Sequence, residues 1–149
     1  MKKGFTLVEI LIAVSIVALL MSVLVPNFLG ARTRARDARR KTDLSALQNS
    51  LELYKSDQSP VSYPPSNFMS GLCKTCWSSG ASCTGNVYTR KIVCDPQTGS
   101  IYIYTRNATD SLKYTLTACL ENTRDADRDA VNLAACSTLS KVSYTVNEP

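Results

Sequence analysis

The stretch that decides the fold of this chain is residues 4–25, which reads GFTLVEILIAVSIVALLMSVLV. Glu9 is the only charged residue in it, and the other polar side chains are small hydroxyls. As a helix, the run that starts at Phe5 would be about 31 Å long, which matches the hydrocarbon thickness of a bilayer. It is longer than the apolar core of a conventional secretory signal, and no small-residue cleavage site follows it. The sequence therefore predicts a membrane-spanning helix over residues 5–25.

The composition suits one domain of ordinary size with an appendage, because the chain has 149 residues, of which 44% are hydrophobic and 19% charged. The chain has no histidine, which excludes histidine-based triads, histidine-ligated zinc and imidazole acid-base chemistry. The sequence gives no reason to expect an enzyme.

The net charge of +5 is a local feature. Eight of the 17 lysines and arginines lie within residues 1–41, and the charges of the remaining chain nearly cancel. Most of the chain therefore has no electrostatic reason to bind nucleic acid, and we expect no such partner.

After the apolar run the sequence continues as a helix. Residues 26–56 are rich in helix formers, and we expect one long helix over residues 5–55. Pro26 is predicted to kink it, because proline removes one backbone hydrogen bond and clashes with the preceding turn. One apolar face follows steps of three and four residues, at Leu44, Leu47, Leu51 and Tyr54.

The composition changes at Asp57, where residues 57–149 become rich in Tyr, Thr, Ser, Val and Cys. Strands should dominate there. Residues 107–110 are predicted to close a hairpin between two strands. The predicted strands are residues 100–106, 111–120 and 141–146, with a weaker one at 86–94. In the second strand one face is expected to carry Leu112, Tyr114, Leu116 and Ala118.

Six cysteines lie within 64 residues, and their even number indicates a disulfide-stapled domain in an oxidising compartment. A four-thiolate zinc site and a redox CxxC pair remain as alternatives. Fifteen pairings are possible; our expectation is that Cys119 pairs with Cys136 and that the other four pair among themselves. The disulfide candidates are Cys73, Cys76, Cys83, Cys94, Cys119 and Cys136.

The first residues resemble the processing site of type IV pilins and of the pseudopilins of type II secretion systems. The motif joins a short basic leader, Gly4, the aromatic Phe5 and a single glutamate, Glu9, in an otherwise uncharged span. The resemblance implies that a prepilin peptidase cuts between Gly4 and Phe5 and methylates the new N-terminus at Phe5. Weaker similarity covers the family's helix-kinking proline at Pro26, the helix end at residues 37–54, and an Asp-Pro turn with its following strand at 94–104.

Glu9 has two interpretations. A carboxylate in a membrane-spanning helix is costly and is by default a functional candidate. Once the leader is removed, Glu9 could neutralise the new amine of Phe5 on a neighbouring subunit and so set the register of polymerisation. The alternative is that Glu9 sits in the first turns of the helix, where the helix dipole tolerates an anion.

A basic run follows the apolar stretch, and it conflicts with the cysteines about the side of the membrane on which the C-terminal domain lies. More positive charge lies after the span than before it, so positive-inside counting would put the C-terminal domain in the cytoplasm, whereas the cysteines place it outside. The run is expected to be a solvated helix face; its alternatives are contacts with lipid headgroups, with acidic groups of adjacent subunits such as Asp37 and Asp43, or with DNA. It consists of Arg32, Arg34, Arg36, Arg39, Arg40 and Lys41.

An acidic loop lies between the last two cysteines. Asp125, Asp127 and Asp129 have the spacing with which a calcium loop begins, although the glycine and glutamate positions of an EF-hand are not met. The resemblance to major pseudopilins, which carry calcium in a loop at a comparable place, makes these three aspartates weak calcium candidates. Otherwise they form a solvated acidic turn, and no cofactor is certain.

The expected fold is α+β, a pilin-like lollipop in which a long N-terminal helix packs on a small antiparallel sheet with a disulfide-stapled head. The expected organisation is a prepilin leader at 1–4, a transmembrane and assembly helix at 5–25, its amphipathic continuation at 26–56 and an extracytoplasmic globular head at 57–149. The expected location is the cytoplasmic membrane, crossed once, and after assembly a cell-surface or periplasmic filament.

The expected function is that of a structural subunit of a type IV pilus or a type II secretion pseudopilus. Its partners would be copies of itself, the membrane and prepilin peptidase, and the resemblance alone adds an assembly ATPase and a membrane platform. An alternative from another class is a minor pilin that captures DNA or a surface at a filament tip. A third hypothesis, a tethered thiol oxidoreductase, would require a reactive thiol at Cys73 or Cys76.

Overall fold

The structure is a computed structural model that describes residues 4–149, apart from the side chain of Pro26. The predicted leader therefore lies mostly outside the described residues, and so does the predicted effect of the Pro26 ring on the helix. The described elements, in chain order, are α1 Leu7–Ser56, β1 Trp77–Ser78, a 3₁₀ turn Ala81–Cys83, β2 Val87–Thr89, β3 Ile103–Arg106, β4 Tyr114–Leu120, α2 Ala134–Ser137 and β5 Val142–Asn147.

The chain divides into two compact units, one ending at Ala35 and the other spanning Arg36–Pro149. The boundary falls inside α1, so the second half of that helix belongs to the C-terminal unit rather than to a separate segment. Leu44, Leu47 and Leu51 are buried there, and Tyr54 packs at the edge of the same core. The predicted apolar face is therefore confirmed.

The C-terminal unit contains a three-stranded antiparallel sheet in the order β3-β4-β5. β4 is the central strand: Tyr104 pairs with Leu116 on one side, and Leu116 pairs with Val146 on the other. A second sheet has only two strands, β1 and β2. Together with the long helix, these small antiparallel sheets confirm the predicted α+β class.

The core joins the leucine face of α1 to the sheet. Leu116 and Ala118 of β4 are buried with Tyr102 and Tyr104. A fully buried leucine such as Leu116 contributes about 1.5–3 kcal/mol. Trp77 extends the core by stacking on Tyr54 with ring centroids 5.2 Å apart. As the only tryptophan, it serves as a fluorescence probe of this unit.

Three disulfides staple the C-terminal unit, and no cysteine of the described chain is free. Cys119 of β4 joins Cys136 of α2, the pair that we expected from the sequence. A loop of this size contributes about 3 kcal/mol in the chain-entropy account. The other four cysteines pair as Cys73–Cys94 and Cys76–Cys83.

The predicted strands exist but are shorter than expected at their N-terminal ends. β4 begins at Tyr114 rather than at residue 111, because residues 107–113 form a wider turn in which the Asn107 amide donates to the Lys113 carbonyl. Leu112 lies in that turn and is 47% exposed, so the prediction that it shares one strand face with Tyr114, Leu116 and Ala118 was wrong. The weak candidate at 86–94 is reduced to β2.

Candidate functional site

The predicted processing motif lies at the start of α1. Thr6 precedes the first helical residue, and its side-chain oxygen accepts a hydrogen bond from the Glu9 amide at 3.2 Å. The Ile10 amide donates to the Thr6 carbonyl at 3.3 Å. This is N-cap geometry, and the Thr-x-x-Glu spacing is that of a capping box. Cutting between Gly4 and Phe5 would leave this cap in the chain.

Glu9 is exposed in the single chain, and among the described residues no cation lies within ion-pair distance of its carboxylate. Its place in the first turn favours an anion through the helix dipole. The position of Glu9 is therefore compatible with the interpretation that the helix dipole tolerates its charge. The exposed carboxylate is also available to a group outside the chain, which the pairing interpretation requires.

The helix segment after Glu9 presents apolar side chains without cover. Phe5 is 78% exposed, and large hydrophobic residues remain more than half exposed as far as Leu29. Its hydroxyls do not disturb this surface, because Ser15 donates to the Ile12 carbonyl at 2.8 Å and Ser22 donates to the Leu19 carbonyl at 2.7 Å. Helix α1 is long and apolar enough, by length and composition, to cross a membrane.

A buried charge network begins one turn after Ala35, inside the C-terminal unit. Arg40 is fully buried, and its guanidinium donates to Asp37 at 2.6 Å, to Asp95 at 2.6 Å and to Glu121 at 2.7 Å. Asp37 also accepts hydrogen bonds from the amides of Glu121 and Asn122. The network thereby joins α1 to the turn before β3 and to the loop after β4.

The pKa values in this network follow from its geometry. Burial alone would raise the pKa of Asp95, but hydrogen bonds from Arg40 and from the backbone at Gln97 and Thr98 lower it far below its usual range. Hydrogen bonds from Arg36, and secondly those from Arg40, outweigh burial and lower the pKa of Glu121 to about 2. Both carboxylates are therefore held in the charged form.

The expectation of a uniformly solvated basic run was wrong for three of its six residues. Arg40 is buried, Arg36 forms a two-point contact with Glu121, and Lys41 binds two aspartates. Asp37 and Asp43, considered as partners for an adjacent subunit, are buried. Asp37 binds Arg40, and Asp43 accepts a hydrogen bond from the Tyr102 hydroxyl at 2.8 Å. The exposed members of the run are Arg32, Arg34 and Arg39.

This network is the feature that the sequence analysis missed. The signal was present, because Asp37 and Arg40 continue the same helix face that Leu44, Leu47 and Leu51 bury. These positions are separated by steps of three and four residues, so Asp37 and Arg40 lie on the buried face and can pair with each other there. The run was interpreted by its charge alone, and charge runs are usually solvated.

The three calcium candidates do not share one position. Asp125 and Asp127 accept hydrogen bonds from the Lys41 ammonium at 2.6 and 2.7 Å. Asp129 turns to β5, where it binds the amide and hydroxyl of Thr145. Across residues 4–149, no group of three or more metal-ligating His, Cys, Asp or Glu side chains was found.

The disulfide pairing excludes the two alternatives for the cysteines, a zinc site and a redox pair. Cys73, Cys76, Cys83 and Cys94 are all consumed in disulfides, so the described chain offers neither the thiolates of a zinc site nor the free thiol of a redox centre.

Known proteins are similar to parts of this chain. Residues 1–25 match the family model of the prokaryotic N-terminal methylation motif. The chain is 45% identical over 58 residues to the type II secretion system core protein G of Vibrio cholerae, a match that covers 39% of this chain and 40% of that protein. It is 38% identical over 66 residues to core protein G of Escherichia coli, covering 44% of each.

A pilus protein matches this chain with similar identity and coverage. The type IV wide pilus major component PilA4 of Thermus thermophilus is 46% identical over 55 residues, which is 37% of this chain and 42% of PilA4. The chain thus spans about two fifths of the length of the curated relatives it matches. No solved structure matches.

These findings support the pilin and pseudopilin family for this chain and confirm the predicted resemblance. The names of these relatives describe a secretion-system core protein and a pilus component. The methylation motif and the apolar helix fit membrane anchoring.

We expect Arg40→Met to destabilise the C-terminal unit by about 3–5 kcal/mol, because it leaves three carboxylates without their common cation. Arg39→Met, at an exposed neighbouring position, should change stability by less than about 0.5 kcal/mol. Urea denaturation of the full chain in detergent, followed by Trp77 fluorescence, measures both. Equal stability of the two variants would contradict the assigned role of Arg40.

Acid should weaken the same network. The Glu121 carboxylate has a pKa of about 2 in the folded chain, below its ordinary value of about 4.3, so its stabilisation is complete above that ordinary value and is lost as the pH falls towards 2. The loss should be about 2 kcal/mol after allowance for the partial exposure of this carboxylate.

Glu121→Gln is the matched variant for this pH dependence. It should be less stable than the parent chain at pH 7 and should lose less between about pH 4.5 and 2, because it has no carboxylate to protonate. Melting temperatures across this range report the difference. A parallel fall in both chains would exclude Glu121 as a source of the acid sensitivity.

Proposed function

We propose that this chain is a structural subunit of a type IV pilus or a type II secretion pseudopilus, and that its N-terminal helix is both its membrane anchor and its assembly element. The observation that carries the proposal is the uncovered apolar surface of α1 together with the methylation motif at its start. A contiguous apolar surface of this size requires a membrane or a partner. The named relatives are a secretion core protein and a pilus component, which imply self-assembly.

Maturation prepares this helix for assembly. On this proposal, prepilin peptidase cuts between Gly4 and Phe5 and methylates the amine of Phe5. The cut leaves Thr6 in place to cap the helix, so the first turn survives maturation. It also creates a positive charge four residues before Glu9, in a segment that otherwise carries no charge as far as Val25.

Glu9 then sets the register between subunits. Its carboxylate is exposed in the single chain and, among the described residues, has no ion-pair partner, so the amine of a neighbouring Phe5 can neutralise it. In an apolar bundle an unpaired charge is costly, and the paired register is therefore favoured. Contacts between two different patches of one chain do not close and generate a helical filament.

The C-terminal unit is proposed to lie outside the cytoplasm, and the chain to cross the membrane once. Three disulfides support this, because they form and persist in oxidising compartments. Positive-inside counting opposed it, but half of the basic run is bound to carboxylates of the C-terminal unit. An assembly ATPase and a membrane platform remain partners proposed from the family resemblance.

The minor-pilin alternative has less support. The relatives reported above are named as a secretion-system core protein and a pilus component, and neither name refers to DNA or to a surface. The exposed arginines available to DNA are reduced to Arg32, Arg34 and Arg39 within the basic run.

Glu9→Val should leave membrane insertion intact and should reduce filament yield by an order of magnitude or more, because the amine of the adjacent subunit loses its counter-charge. Ser15→Ala is the matched control, since that hydroxyl bonds only to its own helix backbone at the Ile12 carbonyl. The measurement is the amount of subunit in sheared or pelleted filaments relative to the amount in the membrane.

Normal filaments from the Glu9→Val chain would contradict the pairing, and would leave Glu9 only its favourable interaction with the helix dipole. Loss of the subunit from the membrane itself would also contradict it, because the account gives Glu9 no part in insertion.

A further inference from the structure

The loop that follows β4 is held by a cation supplied by the chain itself. Lys41 of α1 reaches across to this loop, and its ammonium lies 2.6 Å from Asp125 Oδ1 and 2.7 Å from Asp127 Oδ2. The same ammonium lies 5.3 Å from the centre of the Tyr144 ring, whose face favours a cation. A single positive group thus occupies the space between two carboxylates and an aromatic face.

The family resemblance implies a calcium ion at this loop, and the residues present do not fit one. Calcium takes six to eight oxygen ligands at about 2.3–2.6 Å. The third aspartate is not available, because both Asp129 oxygens are bound to Thr145 of β5, at 3.0 Å to its amide and 2.7 Å to its hydroxyl. Two carboxylates remain, and the ammonium stands where a metal would have to touch them both.

We infer that the Lys41 ammonium takes the place of calcium in this loop, so that the chain closes the loop without binding a metal there. Unlike a metal site, this arrangement stabilises the loop independently of the calcium concentration. A tethered ammonium is present at a fixed local concentration, whereas a bound ion stabilises the folded state only in proportion to its supply. The fold of this unit should therefore be indifferent to calcium.

The two carboxylates also define what happens when the ammonium is removed. Asp125 is 15% and Asp127 65% exposed, and both would then face each other across a space open to solvent. A divalent cation can neutralise both at once, and its oxygen ligands can be completed by water and backbone carbonyls. Calcium should therefore stabilise a chain that lacks the lysine, and only such a chain.

The experiment compares full chains in detergent, with melting followed by Trp77 fluorescence in a chelator and in about 5 mM calcium, which saturates even weak extracellular sites. The parent chain should melt within about 1 °C in the two buffers. Lys41→Met should melt about 3–5 °C lower in the chelator and regain at least half of this loss in calcium. Lys41→Arg, which keeps the charge, should be indifferent to calcium.

Lys113→Met is the matched control, because Lys113 is exposed and its contact with Asp110 is long, at 3.5 Å. The Lys113→Met chain should have the melting temperature of the parent chain, and calcium should not change it. A calcium-dependent rise in the parent chain would overturn the inference. So would a Lys41→Met chain that is destabilised but unmoved by calcium, because the lysine would then be an ordinary ion pair. Should that variant fail to fold, calorimetric titration of the parent and Lys41→Arg chains decides, with binding to either contradicting the inference.

Discussion

The constraint on which this protein depends is that the first half of its long helix has an apolar surface that water cannot accommodate. Large hydrophobic side chains from Phe5 to Leu29 are more than half exposed in the single chain. The serine hydroxyls of this segment donate to backbone carbonyls of the helix, and Glu9 is its only charged residue. A lipid bilayer and a bundle of identical helices are both apolar environments, and a subunit that moves from one to the other keeps this surface covered.

The second half of the same helix solves a different problem, which is to hold a small sheet and long loops in one arrangement. Leucines on one face supply the burial, and Arg40 supplies the connections, because its guanidinium binds one carboxylate of its own helix and one from each of two other segments. Removing any member of such a network leaves a buried charge without its partner, which destabilises the fold. When all members are present, every charge is hydrogen-bonded. Lys41 extends the same principle to the acidic loop at the next position along the helix. Three disulfides add covalent closure, and one of them, Cys119–Cys136, closes the same acidic loop.

How much of this could be predicted differs between the two units. The helix, its leucine face, the α+β class and the hairpin of β3 and β4 follow from periodicity and composition, which are local properties. The start of β4 could not be placed, because the turn at residues 107–113 is set by hydrogen bonds rather than by the apolar alternation that put Leu112 on one strand face with Tyr114. The charge network was missed because Asp95 and Glu121 lie 55 and 81 residues from Arg40. No local rule brings those positions together, whereas the cleavage motif is contiguous and could be identified directly.

The central claim, that this chain is matured at Gly4 and Phe5 and polymerised through the freed end, is tested most directly by intact-mass analysis of the subunit taken from filaments, with and without reductant. The account predicts a polypeptide that begins at Phe5, carries one methyl group on its amine, and gains six hydrogens on reduction of its three disulfides. A subunit that retains residues 1–4 within the assembled polymer would contradict it.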